Sequence, residues 1–202
     1  MERFFHGTTR LFKQFDTSHA LEGDGKCKFG FGTYITEVYK SAAHYAYNKN
    51  RPESKDYYVY TLEVPDLTEY NHLASAKPVC NFVVEKTEKA LGEIIPEEVI
   101  AMGKSFRKYV GNKLIGKEGS TRQLMSVVSL ESEKAAATFF SETIGLDFYV
   151  WPQAQTKPDG PTNRVALDAS KMRIIRIDKV KLTEKDHQLV AGSEVEVPLD
   201  SF

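Results

Sequence analysis

Apolar residues in the middle of the chain recur every three or four positions, which is the spacing of a helix that buries one face. Pro96 is followed by Glu97 and Glu98. This order is typical of a helix start, because proline fits the first turn and carboxylates favour its positive end. The pattern predicts helical structure over about 82–116. A second helix is expected from Ser132 to Gly145, since glycine commonly ends helices.

Short runs rich in aromatic and β-branched residues predict strands. The clearest spans 57–64 and ends at a proline. Residues 30–36 form another, and its glycines permit close approach by a ligand or a second backbone. Thr36 is expected to cap a helix that runs to about residue 48. The other segments expected to be strands or extended are 3–5, 123–129, 147–151, 164–167 and 173–182.

Composition and charge limit the class of protein. With 202 residues, 41% of them hydrophobic, we expect a single domain over 1–182 followed by an acidic tail over 183–202. The net charge is −1, so no global attraction to nucleic acid or membrane is expected. No signal segment and no apolar run near the roughly 20 residues of a membrane span is seen, which favours a cytoplasmic protein without membrane contact. Cys27 and Cys80 form no metal-binding or disulfide pattern, and no metal is expected.

Three motifs near the start of the chain carry candidate chemistry. His6-Gly7-Thr8 ends the first strand, a Gly-x-Gly-x-Tyr-x-Thr run occupies 30–36, and Tyr45 follows Tyr34 by eleven residues on the next helix. This order resembles the NAD-binding half of ADP-ribosyltransferases of the His-Tyr-x branch, which includes diphtheria-type toxins and poly(ADP-ribose) polymerases. The resemblance covers roughly 1–64 and 132–182 and is interrupted by a helical insertion.

The resemblance implies an α+β fold: a split two-sheet NAD-binding core with flanking helices and an insertion at about 82–116. It also implies NAD as co-substrate. His6 would be catalytic and would hydrogen-bond a ribose hydroxyl. Gly7 would let the nicotinamide carboxamide reach the main chain, because no Cβ blocks the approach. Thr8 would support that turn.

The second and third motifs would hold the nicotinamide ring. The resemblance implies that Tyr34, also catalytic, and Tyr45 sandwich the ring, with Gly32 clearing space beside Tyr34. The family has a small hydroxyl residue three positions before the second tyrosine. Here that position is Ala42, with Ser41 next to it, so Ser41 is the candidate for this cofactor contact.

A departure from the family pattern falls on its third catalytic position. Aligning 163–172 with the family's last motif puts Asn163 where a glutamate is expected. An amide can hydrogen-bond a ribose hydroxyl but cannot supply negative charge or remove a proton. Either the acceptor needs no base from Asn163, or the carboxylate is elsewhere, with Glu131, Glu133 and Asp159 as candidates, or the domain is inactive.

A basic stretch lies inside the helical insertion. Such a helix could track a phosphate backbone, although a solvated helix face explains most runs of this kind. The resemblance also implies that loop 16–28 covers the NAD as a lid. The candidate acceptor-binding residues are Lys104, Arg107 and Lys108, and Lys113, Lys117 and Arg122 complete the stretch.

The interpretation favoured by these motifs is a mono-ADP-ribosyltransferase that modifies a macromolecule and releases nicotinamide. The acceptor, RNA, DNA or protein, stays open. Small members of this class are often toxins of toxin–antitoxin or phage-defence systems, so an antitoxin or inhibitor protein is a possible partner. The alternatives are an NAD-dependent RNA 2′-phosphotransferase, a catalytically inactive module that binds NAD or ADP-ribose, and an unrelated interaction protein.

Overall fold

The computed structural model describes residues 1–16, 27–47, 56–154, 156–157 and 159–201. Over these ranges the chain is α+β, with one mixed eight-stranded sheet and six α-helices. The strands are β1 (Glu2–Thr8), β2 (Thr33–Thr36), β3 (Tyr57–Val64), β4 (His72–Ala74), β5 (Phe148–Pro152), β6 (Thr162–Ala166), β7 (Arg173–Val180) and β8 (Val195–Glu196). The helices are α1 (Tyr39–Ala46), α2 (Asn81–Leu91), α3 (Glu97–Ile100), α4 (Gly103–Leu114), α5 (Thr121–Ser126) and α6 (Leu130–Thr138).

The strand order is β4-β5-β6-β2-β1-β3-β7-β8, with β4 and β5 parallel and the other neighbours antiparallel. The expected split two-sheet core is therefore wrong for the described residues. A single residue pair, Phe5 with Thr36, joins β1 to β2, whereas β1 and β3 pair along seven residues. One such pair is enough to make the two halves a single sheet. The sequence motifs do not reveal it, because they do not specify register.

Different parts of the chain pack on the two faces of the sheet. On one face, Ala42 and Ala43 of α1 pack on Val59 of β3, and α2–α6 form a large core over the β5–β6 half. On the other face, Phe12 and Phe15 pack with Tyr60 and other apolar residues of the central strands. The helical insertion thus covers only one side of the half of the sheet that contains β5 and β6.

The helical prediction for 82–116 is confirmed, with interruptions. Helix α2 ends at Gly92, which has φ +70°, and Pro96 precedes the short helix α3. The expectation of an extended 123–129 segment is wrong for its first half, which lies in α5; that helix begins at Thr121 after a capping box between Ser120 and Gln123. A second capping box makes Ser129, not Ser132, the N-cap of α6.

The acidic tail is attached to the sheet rather than separate from it. Strand β8 pairs with β7, and the Val197 N–H donates to the carbonyl of Ile177 at 2.9 Å. His187 stacks on Tyr47 beyond the end of α1, with ring centroids 3.5 Å apart. The tail therefore closes the edge of the sheet next to α1.

Across the described part of the chain, no helix combines the length and apolarity that crossing a bilayer would require.

Candidate functional site

The first two motifs meet where strands β1 and β2 separate. The strands are antiparallel and pair at Phe5 and Thr36, so continued pairing would bring Gly7 opposite Tyr34. The ladder does not extend that far. Instead, Nδ1 of His6 lies 2.8 Å from the carbonyl oxygen of Tyr34 and spans the gap. The end of β1 is consequently left without ladder pairing to β2 beside a partly buried histidine.

The protonation state of His6 follows from this contact. Because a carbonyl can only accept, Nδ1 carries the proton and donates to Tyr34, which leaves Nε2 as an acceptor. Burial lowers the pKa of His6, and the hydrogen bond to Tyr34 only partly opposes that shift. The Phe15 ring stands edge-on to the imidazole at 5.1 Å. His6 is therefore a neutral imidazole of fixed tautomer near pH 7.

Tyr34 is anchored by its own preceding loop. Its hydroxyl donates to the carbonyl of Gly30 at 2.9 Å and accepts from the N–H of Phe29 at 3.3 Å. Burial raises the pKa of Tyr34 to about 12, so the phenol stays protonated at neutral pH. Gly30 has φ +117°, a conformation that L side chains rarely adopt. The glycine-rich motif thus folds into a turn that fixes the tyrosine.

Two of the predicted glycines serve backbone packing. A Cβ on Gly7 would lie 1.8 Å from the carbonyl oxygen of Ala42, so this glycine admits helix α1 against β1. A Cβ on Gly32 would lie 2.4 Å from the carbonyl oxygen of Ala166 on strand β6. The space expected beside Tyr34 is therefore already occupied at Gly32 by the neighbouring strand.

Asn163 is aligned across the sheet with Phe5 and Thr36, the pair that joins β1 to β2. On β6 it pairs with Thr36 of β2 on one side and with Trp151 of β5 on the other, and it is 8% exposed. Directly paired residues share a face and residues two apart along a strand also do, so Asn163 is on the face of Tyr34. The structure therefore brings Tyr34 and Asn163 together on one face of the sheet, whereas His6, which pairs with Tyr60 of β3, is on the opposite face.

The other predicted carboxylates are placed differently. Glu131 and Asp159 are exposed. Glu133 is 2% exposed and lies 2.9 Å from the guanidinium of Arg107, which is equally buried. Burial raises the pKa of Glu133, and Arg107 opposes that shift. Glu133 is already engaged in this ion pair and cannot act as a base for an acceptor.

Ser41 and Tyr45 belong to a separate surface. Together with Lys40, His44 and Gln188 they line a cavity of about 180 Å³ on the outer side of α1. Ser41 accepts a hydrogen bond from Gln153 at 2.6 Å, and Tyr45 is 67% exposed beside His44. The ring that packs against Tyr34 is that of Trp151, at 5.7 Å. The predicted sandwich between Tyr34 and Tyr45 is therefore not formed.

Sequence reasoning missed a stacked pair next to Tyr34. The rings of Phe29 and Trp151 are parallel within 1°, with centroids 4.1 Å apart. Both side chains are partly exposed. Phe29 immediately precedes the Gly-x-Gly motif and Trp151 is the only tryptophan in the chain, but nothing in their spacing indicates that they meet.

The basic stretch does not form one surface. Arg107 is buried, with its guanidinium 5.3 Å from the ring of Tyr149 and its Nη2 donating to the carbonyl of Lys28 at 3.4 Å. This contradicts its expected exposure alongside Lys104 and Lys108. Lys104 is exposed, and Lys108 donates to the carbonyl of Ser126. Burial and the nearby Lys104 and Arg107 lower the pKa of Lys108.

Residues 17–26 of the expected lid lie outside the described residues. A larger cavity of about 360 Å³ contains none of the predicted site residues; it is lined by Phe12, Lys13, Gln14, Phe15, Met172, Arg173, Ile174 and Leu199. We therefore locate the candidate site by the arrangement of polar groups rather than by cavity size. Within the described ranges, no three His, Cys, Asp or Glu side chains are grouped as a metal ion would require.

Comparisons of the chain with protein-family models, with curated proteins and with solved structures find no match.

Proposed function

We propose that the chain is an NAD-dependent mono-ADP-ribosyltransferase. It would break the bond between nicotinamide and the adjoining ribose of NAD and join the ribose to a nucleophile on a macromolecule. The observation that carries this proposal is the opening between β1 and β2, where His6 is fixed against the Tyr34 carbonyl. Asn163 lies across β2 from this opening.

The opening supplies groups that suit NAD. Neutral His6 offers Nε2 as an acceptor for a ribose hydroxyl, since Nδ1–H is already committed. The end of β1 that is not paired with β2 suits a carboxamide, which needs one donor and one acceptor. Tyr34 and Trp151 give an aromatic wall for the nicotinamide ring in place of the expected sandwich.

The chemistry proposed for Asn163 is positioning. Departure of nicotinamide leaves an oxocarbenium-like ribose, whose formation depends on orientation and on dipoles aimed at the developing charge. The Asn163 amide can hold a ribose hydroxyl, but it does not deprotonate the acceptor. The proposal therefore favours an acceptor whose nucleophile reacts without help from a carboxylate at this position.

The transferase is tested by incubating the purified protein with NAD labelled in the adenosine part and a cell lysate. The expected result is label on macromolecules together with released nicotinamide. Treating half of the product with nuclease and half with protease identifies the acceptor class. Absence of both label and nicotinamide would overturn the proposal.

A module that binds NAD or ADP-ribose without turnover is the second candidate, and Asn163 is the observation that favours it. NAD at 100 times its dissociation constant would stabilise such a module by about 2.7 kcal/mol with no nicotinamide released. An RNA 2′-phosphotransferase is less well supported. Arg107 and Arg164, the buried arginines nearest the motifs, are paired to Glu133 and Glu2 and so are not available for a phosphate.

If the protein is a toxin, as its resemblance suggests, its acceptor is a host component and a neutralising protein accompanies it. Induced expression in a bacterial host should then arrest growth. The His6→Ala variant should not.

A further inference from the structure

We propose that the acceptor is a single-stranded nucleic acid, whose bases stack on an aromatic surface formed by Phe29 and Trp151. This inference rests on the proposed function, because it names the substrate class of the same site. Its binding step is independent of NAD, however, and can be measured without it.

The aromatic surface borders the candidate NAD site. Phe29 and Trp151 are stacked at 4.1 Å, and the Trp151 ring lies 5.7 Å from that of Tyr34. Trp151 also pairs across the sheet with Asn163. An acceptor bound on these rings would thus be adjacent to Tyr34 and Asn163 of the candidate site.

Cations lie over the ring of Phe29 and over that of Phe31, two residues further along the chain. The Lys28 ammonium is 5.3 Å from the Phe29 centroid, and the Lys134 ammonium is 5.3 Å from the Phe31 centroid. The nearest buried acid, Glu133, is paired with Arg107, which leaves exposed Glu131 as the opposing charge on α6. Rings combined with lysines match the bases and phosphates of a strand.

Hydrogen bonds to the main chain on both sides of Phe29 hold the aromatic surface in place. Arg107 donates to the Lys28 carbonyl, and Tyr34 donates to the Gly30 carbonyl, so both sides of Phe29 are fixed. A Cβ on Gly30 would lie 2.4 Å from the Tyr149 ring, which shows how closely this turn packs on the core. A preorganised surface loses little conformational freedom when a base stacks on it.

A single strand fits this surface better than a duplex does. Bases in a duplex are already stacked, so their faces are not accessible to protein rings.

The test uses the fluorescence of Trp151, which is the only tryptophan in the chain. Without NAD, the protein is titrated with a mixed-sequence single-stranded oligonucleotide, as DNA and as RNA, with the matching duplex and with heparin. We expect quenching by at least one of the single strands, weakening as salt rises, and little quenching by the duplex or heparin. Equal quenching by heparin would mean simple charge attraction and would overturn the proposal, as would no quenching.

Variants separate stacking from charge. Phe29→Leu should weaken single-strand binding by at least about fivefold, the low end of the loss expected when one stacked base is removed. A Lys28→Gln/Lys134→Gln double variant should lower the salt dependence. The matched controls are Phe82→Leu and Lys86→Gln, because Lys86 lies 4.6 Å over the Phe82 ring on α2. Equal losses in the controls would contradict a role for the aromatic surface.

Fluorescence quenching and nicotinamide release test the nucleic-acid acceptor and the transferase activity separately. Quenching without nicotinamide release would leave the nucleic-acid site in place and remove the transferase. Nicotinamide release with label on protein only, and no quenching, would keep the transferase and overturn the nucleic-acid acceptor.

Discussion

At the scale of single residues, burial determines the protonation state and the available partners of a polar side chain in this protein more than its residue type does. His6 and Tyr34 were predicted as site residues, and the structure connects them through one hydrogen bond. Arg107 was predicted as a surface residue from the charge pattern around it. Its 2% exposure follows from its pairing with Glu133 on a different helix, and a sequence pattern along α4 cannot reveal that partner.

The lowered pKa of His6 leads to a stability prediction. An unfolded histidine binds a proton with a pKa of about 6.5. Folded His6 resists protonation because it is buried. Its contribution to the free energy of unfolding is therefore complete above the unfolded pKa and is lost as pH falls toward the folded pKa.

Urea unfolding at pH 7.5 and 5.5 measures this contribution. The native protein should lose more stability on acidification than His6→Gln does. His72→Gln is the matched control, because Nδ1 of His72 also lies 2.7 Å from a main-chain carbonyl oxygen, that of Thr68, but in a solvent-exposed contact. Equal losses in native protein and His6→Gln would contradict the neutral state assigned to His6.

The Arg107–Glu133 pair gives a second prediction. Arg107→Met leaves a buried carboxylate without its partner and should lower the free energy of unfolding by about 3–5 kcal/mol. The double variant Arg107→Met/Glu133→Leu should recover most of that loss, since no buried charge remains. Denaturant unfolding of the three proteins measures this. The control is Lys113→Met, because its partner Glu93 is one-third exposed and stays hydrated.

At the scale of elements, periodicity located most helices and strands, but contacts between elements set their ends. Helix α1 begins at Tyr39 after Val38, with no side-chain cap, although Thr36 was expected to cap it. Thr36 is instead the last residue of β2, where it pairs with Phe5 of β1, and its hydroxyl accepts from the Val38 N–H. Strand β4 has three residues, which is too short for a readable alternation.

The close packing of α1 on β1 is itself testable. Gly7→Ala would place a Cβ 1.8 Å from the Ala42 carbonyl oxygen, so α1 or β1 must move. We expect a large fall in melting temperature and loss of NAD cleavage. Gly116→Ala is the control, because a Cβ there meets nothing within 4 Å and only its φ of +71° is strained, at a cost of about 1 kcal/mol. A Gly7→Ala variant no less stable than this control would contradict the packing.

At the scale of the whole molecule, the α+β class implied by the family resemblance is confirmed. The single sheet was not predictable, because it depends on one residue pair between β1 and β2. The residues of the candidate site also divide into those that the sequence predicts and those that only the fold reveals. His6, Tyr34 and Asn163 come from motifs, whereas Trp151 joins them only because β5 lies beside β6 in the sheet. Strand order of this kind is a property of the folded chain.

The central claim is that the opening between β1 and β2 cleaves NAD. The most direct measurement is nicotinamide release from NAD by the native protein, by His6→Ala and by His72→Ala, with thermal melts to establish folding. The account predicts release by the native protein and by His72→Ala, and none by folded His6→Ala. Release that persists in His6→Ala, or no release by the native protein, would contradict it.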